Sequence, residues 1–542
     1  MDIAVRDGKI VERVNERKAK KVDASGMIVM PGGVDIHCHI AGSEVNTGRL
    51  LRPEDHFRDF ERKTIRTRSG VGHSIPSTFT TGYRYSRMGY TTVMNPSMPP
   101  LEAKHTHEEL NDTPMVDKAS YPLLGDWWFA LEYLSHDNVD ELARHVAWIM
   151  GTTKGYAIKI VNPGGLEAWG FGQNVHSLEE QIPCFDVTPR DIVRGLCKVN
   201  KLLNLPHTIH VHTNNLGQPG NYETTLETME CVKDLASSHK PAIHITHCQF
   251  SAFKGEDWRT LESGAEEIAR YVNCNSHVTM DMGQIVFGDT TTMTADGPFQ
   301  FGLSELTGSK WVNHDVETET SAGIVPFRYR RKSYVHAIQW SIGLELALLI
   351  KDPWKIFMTT DHPNGGPFTS YSRIIAWLMS RKAREATMKR VNHRARGKSL
   401  LTSIDRELGY QEIAIVTRAG QAKALGLGSK GHLGIGADAD IAVYSVNPEK
   451  IDASRDYKKV RRAFKHVAYT IKNGIIVVKD DEIVKSVEGS TIWLDVQTSE
   501  PVCVAEDMKR RFRNYWTVEY ENYPVAENSL GVSKRIAVKA DV

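Results

Sequence analysis

No two of the seven cysteines in this chain (Cys38, Cys184, Cys197, Cys231, Cys248, Cys274, Cys503) form a C-x-x-C pair. That excludes an iron–sulfur site, a zinc ribbon or a disulfide framework on this chain. Net charge is equally scarce. Lys and Arg number 67 against 66 Asp and Glu, which removes any general argument for polyanion binding, so nucleic acid is not an expected partner. Long apolar runs are missing too: the longest, residues 341–350, is broken by Glu345 and falls far short of the roughly 20 residues a bilayer span requires. The opening residues, Met1-Asp2-Ile3-Ala4-Val5-Arg6-Asp7, contain no apolar core of a secretory signal. The expectation is a protein of a reducing compartment, the cytoplasm, without a membrane span.

What is present is an alternation of strand and helix signals. Short β-branched runs at 34–39, 91–95, 123–130, 156–161, 208–213, 242–247, 275–280 and 356–360 are strand candidates. Amphipathic patterns at 54–66, 137–150, 190–201, 225–238, 258–271 and 334–350 fall between several of them. Eight strands with intervening helices predict an α/β fold of the (β/α)8, TIM-like barrel kind. The span is longer than the roughly 250 residues such a barrel uses, so large insertions are expected near 41–85 and 282–333. Before residue 30 and after about 427 the pattern is β. Asp7-Gly8 and Asn473-Gly474 are hairpin-turn dipeptides. The expected division is a small β-sandwich-like domain made by both chain ends (1–30 with 427–490), a barrel (31–426) and a C-terminal extension (491–542).

The chemistry-bearing residues fall at the C-terminal ends of the proposed strands, where active sites of this fold are built. His37 and His39 end the first; two residues apart, they share a face. Lys159 lies inside an apolar run, Ala157-Ile158-Lys159-Ile160-Val161, where a lysine needs a partner. Burial and a nearby cation lower such an amine's pKa, and a neutral amine can capture CO2 as a carbamate that supplies an oxygen to each of two metals. His210 and His212 end the fifth strand, His244 and His247 the sixth, and Asp361 the eighth. Parity does not separate His210 from His212, whereas His244 and His247 lie on opposite faces of a regular strand. His212 and His247 are favoured because each stands nearer its strand's end. Together these residues can hold two divalent ions and leave Asp361 to handle a proton.

The run Met30-Pro31-Gly32-Gly33-Val34-Asp35-Ile36-His37-Cys38-His39 resembles the entry signature of the amidohydrolase superfamily, and Gly434-Ile435-Gly436-Ala437-Asp438-Ala439-Asp440 resembles its return into the small β domain. Further blocks are similar to the metal-dependent hydrolase subunits of the formylmethanofuran dehydrogenase family: Asn46-Thr47-Gly48-Arg49, Lys159-Ile160-Val161-Asn162-Pro163-Gly164-Gly165, His212-Thr213-Asn214-Asn215-Leu216-Gly217, Thr246-His247-Cys248-Gln249-Phe250 and Thr360-Asp361-His362-Pro363-Asn364-Gly365-Gly366. The resemblance implies two zinc ions held by His37, His39, an N6-carboxylated Lys159, His212, His247 and Asp361. It implies condensation of formate with the amine of methanofuran to N-formylmethanofuran, and the reverse hydrolysis. It also implies partner subunits that carry a tungsto- or molybdopterin and iron–sulfur clusters, with heterodisulfide reductase as a further candidate partner.

Asn162, Asn214 and Gln249 follow ligand-bearing strand ends and are candidates for orienting substrate or ligands, with turn formation as the plain alternative. Arg330 and Arg331, in the basic run 328–332, are candidates for the acidic tail of methanofuran or for a partner subunit. Trp127, Trp128 and Trp169 are expected to pack. The competing functions are the equivalent subunit of a bacterial formyltransferase/hydrolase complex, a free-standing cyclic amidase of the dihydropyrimidinase type, and a non-enzymatic scaffold. A complete ligand set speaks against the scaffold.

Overall fold

Parallel strands covered on both faces favour apolar side chains, and two of the shortest parallel strands of this protein are buried at every residue: Ile356–Phe357 is wholly apolar, and Ile243–Ile245 is apolar but for His244. A computed structural model describes residues 2–237, 240–314, 322–499 and 506–542. Cys503 and residue 238, the last of an expected helix, lie outside them. The fold is α/β. Eight strands of its parallel sheets are, in chain order, Gly33–Asp35, Tyr90–Met98, Asp117–Pro122, Lys159–Val161, Ile209–His212, Ile243–Ile245, Val278–Asp281 and Ile356–Phe357.

Hydrogen bonding groups these strands into two parallel sheets. The last five pair in sequence order. The first three pair likewise, and their sheet is extended by Thr491–Gln497 and Ser533–Lys539. The two sheets touch at both ends through single parallel bridges, Leu123 to Lys159 and Cys38 to His362. The expected C-terminal extension therefore contributes two strands to the sheet that carries His37 and His39. Its remainder packs on the helices Trp128–Ser135 and Val139–Thr153: Phe512 stacks on Phe129, Tyr520 on Trp148, and Trp127 Nε1 donates to the Tyr523 hydroxyl at 3.3 Å.

Two expectations need correction. The third strand is Asp117–Pro122, not 123–130, and Trp128 begins a helix. Its charged start hid it from a hydrophobicity reading. The Asp117 carboxylate meets buried Lys430 and Lys472 at 2.6 and 2.7 Å, while the Lys118 ammonium donates to the carbonyls of Thr113 and Gly489. The helix expected at 54–66 is a 3-10 turn, Pro53–Phe57, followed by a small hairpin pairing Phe60–Glu61 with Gly70–Val71. Asp55 accepts the backbone N–H groups of His73, Ser74 and Ile75, which bends the chain back before a helix can extend.

Helix ends follow local chemistry. Pro189–Leu202 starts with proline behind a Thr188/Asp191 capping box, and Tyr334–Leu349 starts behind Ser333, whose hydroxyl accepts the His336 N–H. Both chain ends meet in an antiparallel sheet in which Ile28–Pro31 pairs with Ile441–Tyr444, followed by Tyr469–Lys472, Ile475–Lys479 and Glu482–Ile483. Asn473 and Gly474 both have positive φ, as the expected two-residue turn demands. Lys430 and Lys472, held between Asp117 and Asp440, fasten this sheet to the parallel one. Buried charges of this kind persist only when paired.

Candidate metal centre

Six side chains from five strands and the turns that follow them converge. His37 Nε2 lies 2.9 Å from Asp361 Oδ1, and His39 Nε2 lies 3.3 Å from the same oxygen. Donor atoms of His37, His247 and Asp361 all lie within 4.8 Å of one another. The His212 ring is 4.8 Å from that of His247. The Lys159 ammonium reaches Thr246 Oγ1 at 3.5 Å, and Thr246 Oγ1 lies 2.8 Å from His247 Nε2. All six side chains are almost wholly buried.

The backbone is bent to achieve this. His247 and Asp361, in the turns after their strands, have φ of 35° and 48°, and Asn162 turns at 41°. Non-glycine residues in that region are strained and concentrate at functional sites. Gly283 passes over His247 so closely that a Cβ there would lie 2.4 Å from the histidine's own.

The doublets separate by hydrogen bonding. His207 Nδ1 can only donate to the Ala424 carbonyl, at 2.8 Å. Its Nε2 therefore accepts from His210 Nδ1 at 3.0 Å, and His210 Nε2 accepts from His37 Nδ1 at 2.8 Å. Burial pushes all three imidazoles well below their usual pKa, so each carries one proton, and the relay leaves the lone pair of His37 on Nε2, facing Asp361. Both nitrogens of His210 are thereby used. So are those of His244, which contact Thr279 Oγ1 and Asp281 Oδ2 at 2.9 and 3.1 Å. By contrast, His247 Nδ1, His37 Nε2 and Asp361 Oδ1 are buried with no hydrogen-bond partner among the described residues. Three orphaned atoms on residues whose ligand atoms lie within 4.8 Å of one another, two of them on imidazoles that burial keeps neutral, fit a divalent cation, which takes neutral imidazole and carboxylate together.

Burial also lowers the Lys159 amine to about 7, against a smaller opposing pull from Asp361 and Asp281. It raises the Asp361 carboxyl, against a smaller opposing pull from the neighbouring His39 imidazole. His212 Nε2 meets Asp296 Oδ2 at 3.1 Å, and Asp296 Oδ1 accepts from the Asn162 amide. Asn214 in turn donates to Asn162 Oδ1 at 3.0 Å. These two asparagines thus steer Asp296 and His212, while Gln249 Oε1 accepts from the Ile285 N–H and holds the following loop. Arg330 and Arg331 are exposed, Arg331 over the Phe287 ring at 5.6 Å.

Asp296, Asp281 and the His207–His210 relay escaped the sequence reading. Asp296 caps the helix Gly297–Thr307 inside an insertion and lies far from any ligand in sequence. Asp281 does end a strand, as the other site residues do, and that signal was there to be found.

The amidohydrolase family matches residues 20–478 of the chain. Over its whole length the chain is 53% identical to the protein FwdA of Methanocaldococcus jannaschii and covers 96% of it. It is 36% identical to a component of the formyltransferase/hydrolase complex Fhc of Methylorubrum extorquens, over 92% of this chain and 88% of that one. Among solved structures, the formyltransferase/hydrolase complex FhcABCD of Methylorubrum extorquens in complex with methylofuran superimposes with a TM-score of 0.87 at 33% identity, covering 98% of this chain and 95% of the other.

Proposed function

The chain belongs to the amidohydrolase family, and on that premise we propose that it is the metal-dependent amidohydrolase subunit of a formylmethanofuran dehydrogenase, joining formate to the methanofuran amine and hydrolysing the product. The carrying observation is the set of orphaned, buried donor atoms on His37, His247 and Asp361. It is supported by the whole-length similarity to FwdA, which exceeds that to the Fhc component. In this reading the two parallel sheets are arcs of one barrel closed at the Leu123–Lys159 and Cys38–His362 bridges. Residues 31–426 form that barrel, residues 1–30 with 427–490 the small β domain, and 491–542 an extension laid along it.

Two zinc ions would be held by His37, His39, a carboxylated Lys159, His212, His247 and Asp361. When bound they polarise the formyl oxygen and acidify water. The chain's own groups do the rest. Lys159, a neutral amine in part at neutral pH, adds CO2 and releases a proton, forming the carbamate. Asp361, with its carboxyl raised by burial, takes the proton from the attacking water and delivers it to the departing amine nitrogen; in condensation it moves the same proton back. His212, tied to Asp296, keeps its orientation through the exchange. The proposed partners are the pterin-bearing and iron–sulfur subunits, with heterodisulfide reductase as a further candidate.

In the assembled, zinc-loaded complex, N-formylmethanofuran is expected to release formate, chelation to abolish that release, and hydantoins to stay intact. Hydantoin cleavage without formate release would favour a cyclic amidase instead. Reloading of metal-stripped chain with zinc and bicarbonate should quicken as pH rises through about 7, where Lys159 loses its proton, and slow below it, because an ammonium cannot add CO2. A reloading rate indifferent to pH across that value would contradict the carbamate.

Neutralising Arg330 and Arg331 to glutamine is expected to raise the KM for N-formylmethanofuran by about tenfold while leaving a tail-less formyl amine unaffected, the loss of roughly 1.4 kcal/mol of tail binding. An equal rise for both substrates would remove these arginines from tail recognition.

A further inference from the structure

Between the first and second of the eight strands the chain throws out a short arm. Phe60–Glu61 pairs with Gly70–Val71. Between them the Thr64 N–H donates to the Thr67 carbonyl, and the Thr64 hydroxyl accepts from the N–H groups of Arg66 and Thr67. Ile65 and Arg66 stand at the tip of that turn. The base is tied down: Arg84 donates to the Gly72 carbonyl at 2.5 Å and pairs with Asp59, Arg87 pairs with Glu61 at 2.7 Å, Arg58 pairs with Asp289, and the Arg68 guanidinium covers the Phe79 ring.

This ordered arm displays what a folded chain ordinarily hides. Phe57 is 90% and Ile65 96% exposed, and Leu50, Phe60 and Val71 are exposed as well. Five of the thirteen large apolar side chains exposed among the described residues fall in this one stretch. Its two acidic residues after Phe57, Asp59 and Glu61, are engaged by arginines of the following helix. Arg62, Lys63 and Arg66 are exposed and have no carboxylate partner among the described residues. The surface is apolar at its points and basic around them.

We propose that this arm docks into an apolar, acid-rimmed groove on one of the other proteins of the enzyme assembly. The inference rests on the proposed function, in which the chain works as a subunit. Burying a side chain such as Phe57 or Ile65 yields about 1.5–3 kcal/mol each, and the free cations supply charge complementarity and register. A second copy of this chain is a poor occupant, because like-charged tips would meet across a two-fold axis. A small molecule is a poor one as well, since the arm is convex and ligand sites are concave.

The test uses the full chain co-expressed with its partner subunits. Phe57→Ser with Ile65→Ser removes the apolar points; Arg62→Glu, Lys63→Glu and Arg66→Glu reverse the charge. Leu306→Ser, at a 64% exposed leucine elsewhere, is the control. Wild type and control are expected to elute with the partners, and both arm variants to show about tenfold less chain in the assembly with zinc content unchanged. Raised salt should reproduce the charge-reversal defect. Arm variants that assemble like wild type overturn the proposal. So do variants that lose only self-association, or only binding to phosphatidylserine vesicles. If wild-type chain elutes without any partner, the proposed function itself fails, a result distinct from a failure of the arm alone.

Discussion

Replacing Lys159 with alanine is expected to cut bound zinc from two ions per chain to one or none and to lower formyl-amide hydrolysis by a thousandfold or more. In the proposed centre a carbamate on Lys159 would supply an oxygen to each ion, so its removal should weaken both together. Loss of cation chemistry worth several kcal/mol, at tenfold in rate for each 1.36 kcal/mol, sets roughly that scale. The fold should survive, because the variant deletes a buried amine whose charged form burial already disfavours. Acetate or another short carboxylate, seated in the space vacated by the side chain, is expected to restore part of the zinc and part of the rate, whereas methylamine is expected to restore neither. Two zincs and normal turnover in the alanine variant would show that the lysine acts as nothing more than a packed amine.

Asp361→Asn separates proton transfer from metal holding. The asparagine keeps the size of the side chain and a carbonyl oxygen near His37 and His39, so most zinc should remain. It cannot take a proton, and hydrolysis is expected to fall by about 10²–10⁴-fold, the usual worth of a positioned general base. The acidic limb of the wild-type kcat/KM profile should go with it. The base form is the active one, and with its pKa raised by burial activity falls as pH drops through that raised value. An Asn variant that retained the same limb and near-normal rates would assign the proton to another group.

Strand ends made much of this site legible in sequence. Histidines at His37, His39, His212 and His247, with a lysine inside an apolar run, are individually ordinary; their recurrence at successive strand termini is what pointed to one centre. Parity could not choose His212 over His210. What distinguishes them in the fold is long-range hydrogen bonding, since both ring nitrogens of His210 are engaged by His37 and His207, and that enclosure exists only after the chain closes on itself. Asp296 stayed hidden for the same reason: it reaches His212 from an insertion with no periodicity of its own. The third strand was missed because Asp117 and Lys118 read as surface until Lys430 and Lys472 arrive from the far end of the chain. The segment 54–66 failed in the opposite direction. Its apolar residues fall at helix-like spacing, yet Phe57 on the 3-10 turn and Phe60 and Ile65 on the hairpin face solvent, so the periodicity reflects no buried face.

An anomalous-difference and electron-density map at the Lys159 side chain of fully active protein bears most directly on the proposed centre. Two cation peaks are expected within the ring of His37, His39, His212, His247 and Asp361, with carboxylate density continuing from Nζ and touching both. A bare amine in a metal-free cavity, in material of full specific activity, would contradict it.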